Sequence, residues 1–172
     1  FSDSADLDPS SSNFMIYGDP SSVDIFICKL DGAGNFLWGG KTGDFWVDRT
    51  LDMTTDAQGN IFITGYFGGA SDFDIGSGTH VLVAFGLGDI FVWKLRSNGT
   101  LDWVKQFGSP AMNNWGAAIH VDDDGFIYLA GCYESQLDLS GGSSAPFISK
   151  GERDIFICKL DNQGNYIWGK SM

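Results

Sequence analysis

Basic residues are scarce in this chain of 172 residues: ten Lys and Arg stand against 22 Asp and Glu, a formal charge of −12. Binding phosphates needs clustered Lys and Arg, so no stripe is available for nucleic acid, and anionic membrane surfaces repel the chain. The acidity by itself serves solubility. Long apolar runs are also missing. None approaches the ~18 to 20 residues that cross a bilayer, and no charged-then-apolar signal peptide stands at the front, so membrane insertion is not expected. The chain starts at Phe1 rather than at an initiator Met. It is therefore expected to be a processed or excised segment whose targeting signal lies elsewhere.

Catalytic material is equally thin. His80 and His120 are the only histidines, lie in different kinds of segment and fit neither a metal-ligand nor a triad spacing. There is no Gly-x-Ser-x-Gly elbow, phosphate loop or Cys-x-x-Cys. Cys28 and Cys158 hold equivalent places in a repeat whose middle copy has Trp93, a pattern of packing rather than chemistry, and Cys132 has no Cys or His nearby. All three read as buried small hydrophobes. No catalytic residue, no cofactor-binding residue and no metal ligand is assigned.

What is present is 43% hydrophobic residues with 24 Gly, 14 Phe and six Trp, the material of short strands and tight turns. Self-similarity orders it. DIFICKLDGAGNFLWG begins at Asp24, DIFVWKLRSNGTLDWV at Asp89 and DIFICKLDNQGNYIWG at Asp154, so the starts are 65 residues apart. Each copy predicts a hairpin turning at Gly34, Gly99 or Gly164 and closing near Trp38, Trp103 or Trp168. The first strand is apolar on both sides, with Ile25 and Ile27 facing opposite to Phe26, Cys28 and Leu30. Such a strand is expected to lie between two covering layers.

A second hairpin precedes the first, from Leu51 to Phe67 and from Ala118 to Tyr133, with an Asp-x-x-Gly turn at Asp56–Gly59 and Asp122–Gly125. The Asp caps backbone amides and the Gly supplies positive φ. Between the hairpins runs an excursion, Ala70 to Gly88 and Ser135 to Arg153, with a further copy at the N-terminus. Four strands per 65 residues, buried on both faces, describe a propeller blade. The expected fold is all-β, with tandem four-stranded antiparallel blades, about two and a half of them, incomplete as a ring. Residues 1–44 form the excursion and outer hairpin of a partial blade, and 45–108 and 109–172 each form a complete one. The bare faces are expected to be covered by further blades of the same polypeptide or by other copies of the chain.

The succession of Asp-x-x-Gly-(Asn)-Ile-Phe/Tyr-x-x-Gly, Asp-Phe-Asp-x-Gly and Asp-Ile-Phe-Val/Ile-x-Lys-Leu-x-x-x-Gly-x-x-x-Trp resembles the bacterial propeller repeats called SBBP, over nearly the whole chain. Trp93 and Gln136 depart from the pattern. The resemblance implies a secreted or cell-surface location and a structural role, with self-association into a fibre as one form of it. A ligand- or glycan-binding propeller of a surface adhesin is the alternative.

Candidate sites remain. Asp6 with Asp8, and Asp72 with Asp74, place carboxylates at alternate positions as calcium loops do, but no bidentate Glu follows and Gln136 breaks the third copy, so turn capping is the favoured role. The same holds for Asp122, Asp123 and Asp124. A carboxylate pair for glycosidic chemistry would be expected at one place rather than in every repeat. The loops Asp19–Ser22, Ser109–Asn114 and Ser140–Ala145 vary between repeats and suit a glycan or protein ligand, with Phe45, Trp46, Met112 and Trp115 beside them. Trp46 and Trp115 are expected to be equivalent core aromatics. Asp3-Ser4-Ala5 resembles the short O-glycosylation pattern of such bacteria, marking Ser4. Asn98-Gly99-Thr100 is an N-glycosylation sequon marking Asn98.

Overall fold

A computed structural model describes residues 1–110 and 113–172, and among them there are strands and turns but no helix. In chain order the strands are β1 Ser4–Asp6, β2 Met15–Tyr17, β3 Ile25–Leu30, β4 Phe36–Thr42, β5 Arg49–Thr55, β6 Ile61–Phe67, β7 Ala70–Asp72 and β8 Val81–Val83. They continue as β9 Asp89–Leu95, β10 Leu101–Phe107, β11 Asn114–Val121, β12 Ile127–Tyr133, β13 Gln136–Leu137, β14 Phe147–Ile148, β15 Asp154–Leu160 and β16 Tyr166–Ser171. Two antiparallel sheets have four strands each, β5-β6-β9-β10 and β11-β12-β15-β16, and β3-β4 repeats the outer half of that design. These are propeller blades in tandem.

Turn chemistry sets the hairpins. Asp56 Oδ1 accepts from the amides of Gln58 and Asn60, and Asp122 Oδ1 from those of Asp124 and Phe126. Gly59 and Gly125 follow at φ 76° and 83°, where a β-carbon is disfavoured. The excursions are more ordered than the sequence suggests. Each folds back as a two-stranded ribbon, β1-β2, β7-β8 and β13-β14. Their strands are only two or three residues long, too short for a period-2 pattern to register.

The blades stack with a fixed polarity. The forward face of each outer hairpin carries Ile25 and Ile27, Ile90 and Val92, or Ile155 and Ile157. The rear face carries Phe26, Cys28 and Leu30, then Phe91, Trp93 and Leu95, then Phe156, Cys158 and Leu160. One core joins Ile25 and Ile27 to Phe91, Trp93 and Leu95, and the other joins Ile90 and Val92 to Phe156, Cys158 and Leu160. Forward face meets rear face both times. The ribbons seal the seams: Phe73 is buried against Phe67, Phe91 and Trp93 of its own blade, while Ile75 lies over Gly40 of the blade before.

The expectation of two covering layers holds for β9, which is buried along its whole length, but not for its relatives. In β3 the forward residues are buried while Phe26 is 51% exposed. In β15 the pattern reverses, with Phe156, Cys158 and Leu160 buried and Ile155 54% exposed. The three sequences are nearly identical, so burial is decided by the neighbours each strand has and not by the strand.

Candidate functional site

Most of the carboxylates singled out in the sequence are engaged in capping turns. Asp72 Oδ1 accepts from the amides of Asp74 and His80, and Asp74 Oδ1 from that of Gly76. Asp6 Oδ1 accepts from Asp8 and Phe14, and Asp8 Oδ1 from Ser10. Asp138 Oδ1 does the same for Ser140, whereas Gln136, standing where Asp6 and Asp72 stand, lies in β13 beside Ile148. Among the described residues no three of His, Cys, Asp or Glu are grouped as a metal centre requires. His80 and His120 are both exposed, on the β7-β8 ribbon and on β11.

The cysteines are free thiols. Cys158 is buried, which pushes its thiol up to about 12. Cys28 and Cys132 are only half-buried, because they lie on the two uncovered blade faces, and desolvation raises each of them. Full burial, expected of all three, is found for one. Cys28 Sγ is within 3.4 Å of the Leu7 carbonyl oxygen, where the N-terminal ribbon crosses the rear face.

The expected equivalence of Trp46 and Trp115 is incorrect. Trp115 pairs with Cys132 across β11-β12, while Arg49 pairs with Tyr66 across β5-β6, so Arg49 holds the Trp115 position. Trp46 precedes β5 and is 55% exposed beside Phe45, which is 80% exposed. Trp46 lies over Gly68 and Gly69, where a β-carbon would strike its indole. Met112 lies outside the described residues, as does Ala111 of the same loop. Ser4, in β1, and Asn98, in the β9-β10 turn, are both exposed. Asn98 Oδ1 accepts from the Thr100 amide and hydroxyl.

Two clefts of one design lie at the outer seams. The first, of about 350 Å³, is lined by Trp38, Asp74, Gly76, Asn98 and Thr100. The second, of about 540 Å³, has their repeat equivalents Asp138, Ser140 and Asn165 together with Lys105. Each is formed where a ribbon turn and a hairpin turn overhang the preceding blade.

One cluster has no counterpart in the other blade, and the sequence pattern gave no sign of it. Arg153 Nε donates to Glu134 Oε1 at 3.0 Å while its guanidinium lies 4.5 Å from the Trp115 ring centroid. Burial opposes ionisation of Glu134, but bonds from Arg153 and Asn113 hold its carboxyl below the ordinary range. Glu134 and Arg153 edge an open hollow with Ile148 and Ser149. The residues are far apart in the chain and none is a motif. Departure from the repeat, with Arg153 where Gly88 stands one period earlier, is the signal that could have found them.

Buried acids occur elsewhere for packing reasons. Asp48 is 1% exposed and desolvation pushes its carboxyl up to about 7, against amide bonds from Asp44 and Gly68. Asp89 is raised by burial too, although Phe85 and Gln106 donate to it. Both sit at strand ends, tying loops to blades.

No family model matches the chain. Over 159 residues, 84% of its length, it is 31% identical to an uncharacterised WD repeat-containing protein of Acanthamoeba polyphaga mimivirus. The chain spans 11% of that relative's length. With the two four-stranded sheets, this similarity marks a β-propeller-like repeat module.

Proposed function

We propose that the chain is a non-catalytic structural module of a secreted or cell-surface bacterial protein of the SBBP type, whose repeated blades stack into a rigid surface or fibre. The observation that supports this reading best is the double occurrence of one interface, forward face on rear face, with the repeated carboxylates engaged in capping turns. In this reading the working surface is the stack, and its partners are further blades. Glycans on Ser4 and Asn98, both exposed, would project from it. An antibody against the chain is expected to label intact cells of the producing organism or its culture medium, and intact mass is expected to show added hexoses. Recovery only from the cell interior, without added sugar, overturns the extracellular part.

A ligand-binding role is the second reading, supported by the unrepeated Arg153, Glu134 and Trp115 cluster and by exposed Phe45 and Trp46. Exposed aromatics and a paired Arg are what a sugar or peptide would meet. A glycan array probed with the chain and with Arg153→Ala separates the two: array binding lost in the variant favours the second reading.

A further inference from the structure

Inside the chain the blade interface is fastened twice by the same residues. Trp38 lies on the next blade's turn, with Cδ2 at 2.7 Å from where a β-carbon on Gly99 would stand, and its Nε1 donates to the Ser97 carbonyl at 3.3 Å. One period on, Trp103 lies on Gly164 at 2.9 Å by the same measure and donates to the Asn162 carbonyl at 3.1 Å. A lysine accompanies each: Lys29 Nζ donates to Ser97 O and Lys94 Nζ to Asn162 Oδ1. Only a turn without a side chain at that Gly admits the ring so closely.

The two ends hold one unused half each. Trp168 is the third member of the series, exposed, with no glycine beneath it and no hydrogen bond among the described residues. Lys159 lies over the Tyr128 ring, as Lys94 lies over Phe62. At the other end a β-carbon on Gly34 would have nothing within 4 Å, so that turn is an empty seat. Gly32 stands where Ser97 and Asn162 stand, two residues before the seat. Around these fasteners lie Ile155 on the forward face and Phe26 and Leu30 on the rear face, all exposed apolar side chains.

We infer that these faces are the two halves of one interface and that their occupant is a second copy of this chain, stacked head to tail. Trp168 of one copy seats on Gly34 of the next, with Trp168 Nε1 and Lys159 Nζ directed at the Gly32 carbonyl. The occupant follows from continuity: the chain already makes this contact twice with the same residue types at the same spacing. A two-fold symmetric dimer through the forward faces would instead set Lys159 against Lys159. Head-to-tail contact is heterologous, so copies add in series. The inference rests on the repeat-module reading and concerns only what covers the ends.

Sedimentation of the 172-residue chain over a range of concentrations, with circular dichroism on every sample, tests it. Species larger than a dimer are expected to grow with concentration. Phe26→Asp and Ile155→Asp each spoil one end at an exposed site and are expected to be folded monomers. Mixed, they have one good face each and form a dimer that grows no further. Trp168→Ala is expected to weaken association about tenfold or more. A folded monomer at every concentration overturns the inference, as does a Phe26→Asp variant that still dimerises or a mixture that stays monomeric. A chain without a cooperative β fold overturns the repeat-module reading itself, which keeps the two failures apart.

Discussion

Asp48 and Asn114 occupy the same place in successive blades, each immediately before the inner strand and each fully buried. Asp48 accepts from the Gly68 amide and the Ser71 hydroxyl, while Asn114 Nδ2 donates to the Gly88 carbonyl. One repeat holds a titratable group where the other holds its neutral isostere.

Stability at this position therefore depends on pH in the second blade alone. The folded carboxyl titrates at about 7 against an ordinary 3.8, so the native state binds its proton more tightly than the unfolded chain does. The contribution is complete below pH 3.8 and is lost as pH rises through about 7. Asp48→Asn, the substitution the repeat itself makes, is expected to match the parent at pH 4 and to exceed it by about 1–3 kcal/mol at pH 8. Urea unfolding at the two pH values measures the difference. A gain of equal size at both would mean that burial does not move this carboxyl.

Trp93 fills the volume that Cys28 and Cys158 leave smaller in the other repeats. It is fully buried, and its Nε1 is without a partner among the described residues. Trp93→Ala opens a cavity and is expected to cost about 3–5 kcal/mol. Trp93→Phe keeps most of the packing and removes the unpaired donor, and is expected to cost under about 2 kcal/mol. Denaturant midpoints of the two variants give the comparison.

Asp52 joins the second blade to the third. A bulge in β5 between Thr50 and Asp52 turns the side chain out, and Oδ2 accepts from the Ile119 amide at 2.8 Å, beside the matching bulge of β11. Asp52→Ala leaves a part-buried amide unpaired, with an expected loss of about 1–2 kcal/mol. Hydrogen exchange should quicken at Ile119 before it does at the β12–β15 amides. Unchanged exchange at Ile119 would show that the bond carries no weight in solution.

The repeat period and the Asp-x-x-Gly turns were legible because each has a local cause: a Gly at positive φ and an Asp that caps its own turn look alike wherever they occur. Trp93 was legible as packing because the equivalent positions hold Cys. What could not be read was the environment of equivalent residues. Phe26, Phe91 and Phe156 share one motif, yet only Phe26 is exposed, because exposure depends on which blade follows or precedes. Trp46 was misplaced because the inner strands run at a 66-residue offset while the outer hairpins run at 65, a slip small enough to pair the wrong aromatics. The Arg153 and Glu134 contact joins residues outside the repeated pattern, and periodicity is silent about those.

The thiols report on the same faces. Cys158 lies in the core between the second and third blades, where burial raises its pKa to about 12, and a thiolate is needed for reaction. It is expected to stay unmodified by an aromatic disulfide reagent at pH 8 until the chain unfolds. Cys132 is half-buried on the forward face and pairs with exposed Ile155, so it is expected to react in the native state, faster than Cys158 by about tenfold or more. Mass spectrometry of the labelled peptides against time gives both rates. If the forward face is covered in the assembled protein, Cys132 labelling slows as concentration rises, and the Ile155→Asp variant restores it. Labelling of Cys158 at the native rate of Cys132 would contradict the closed seam between the blades.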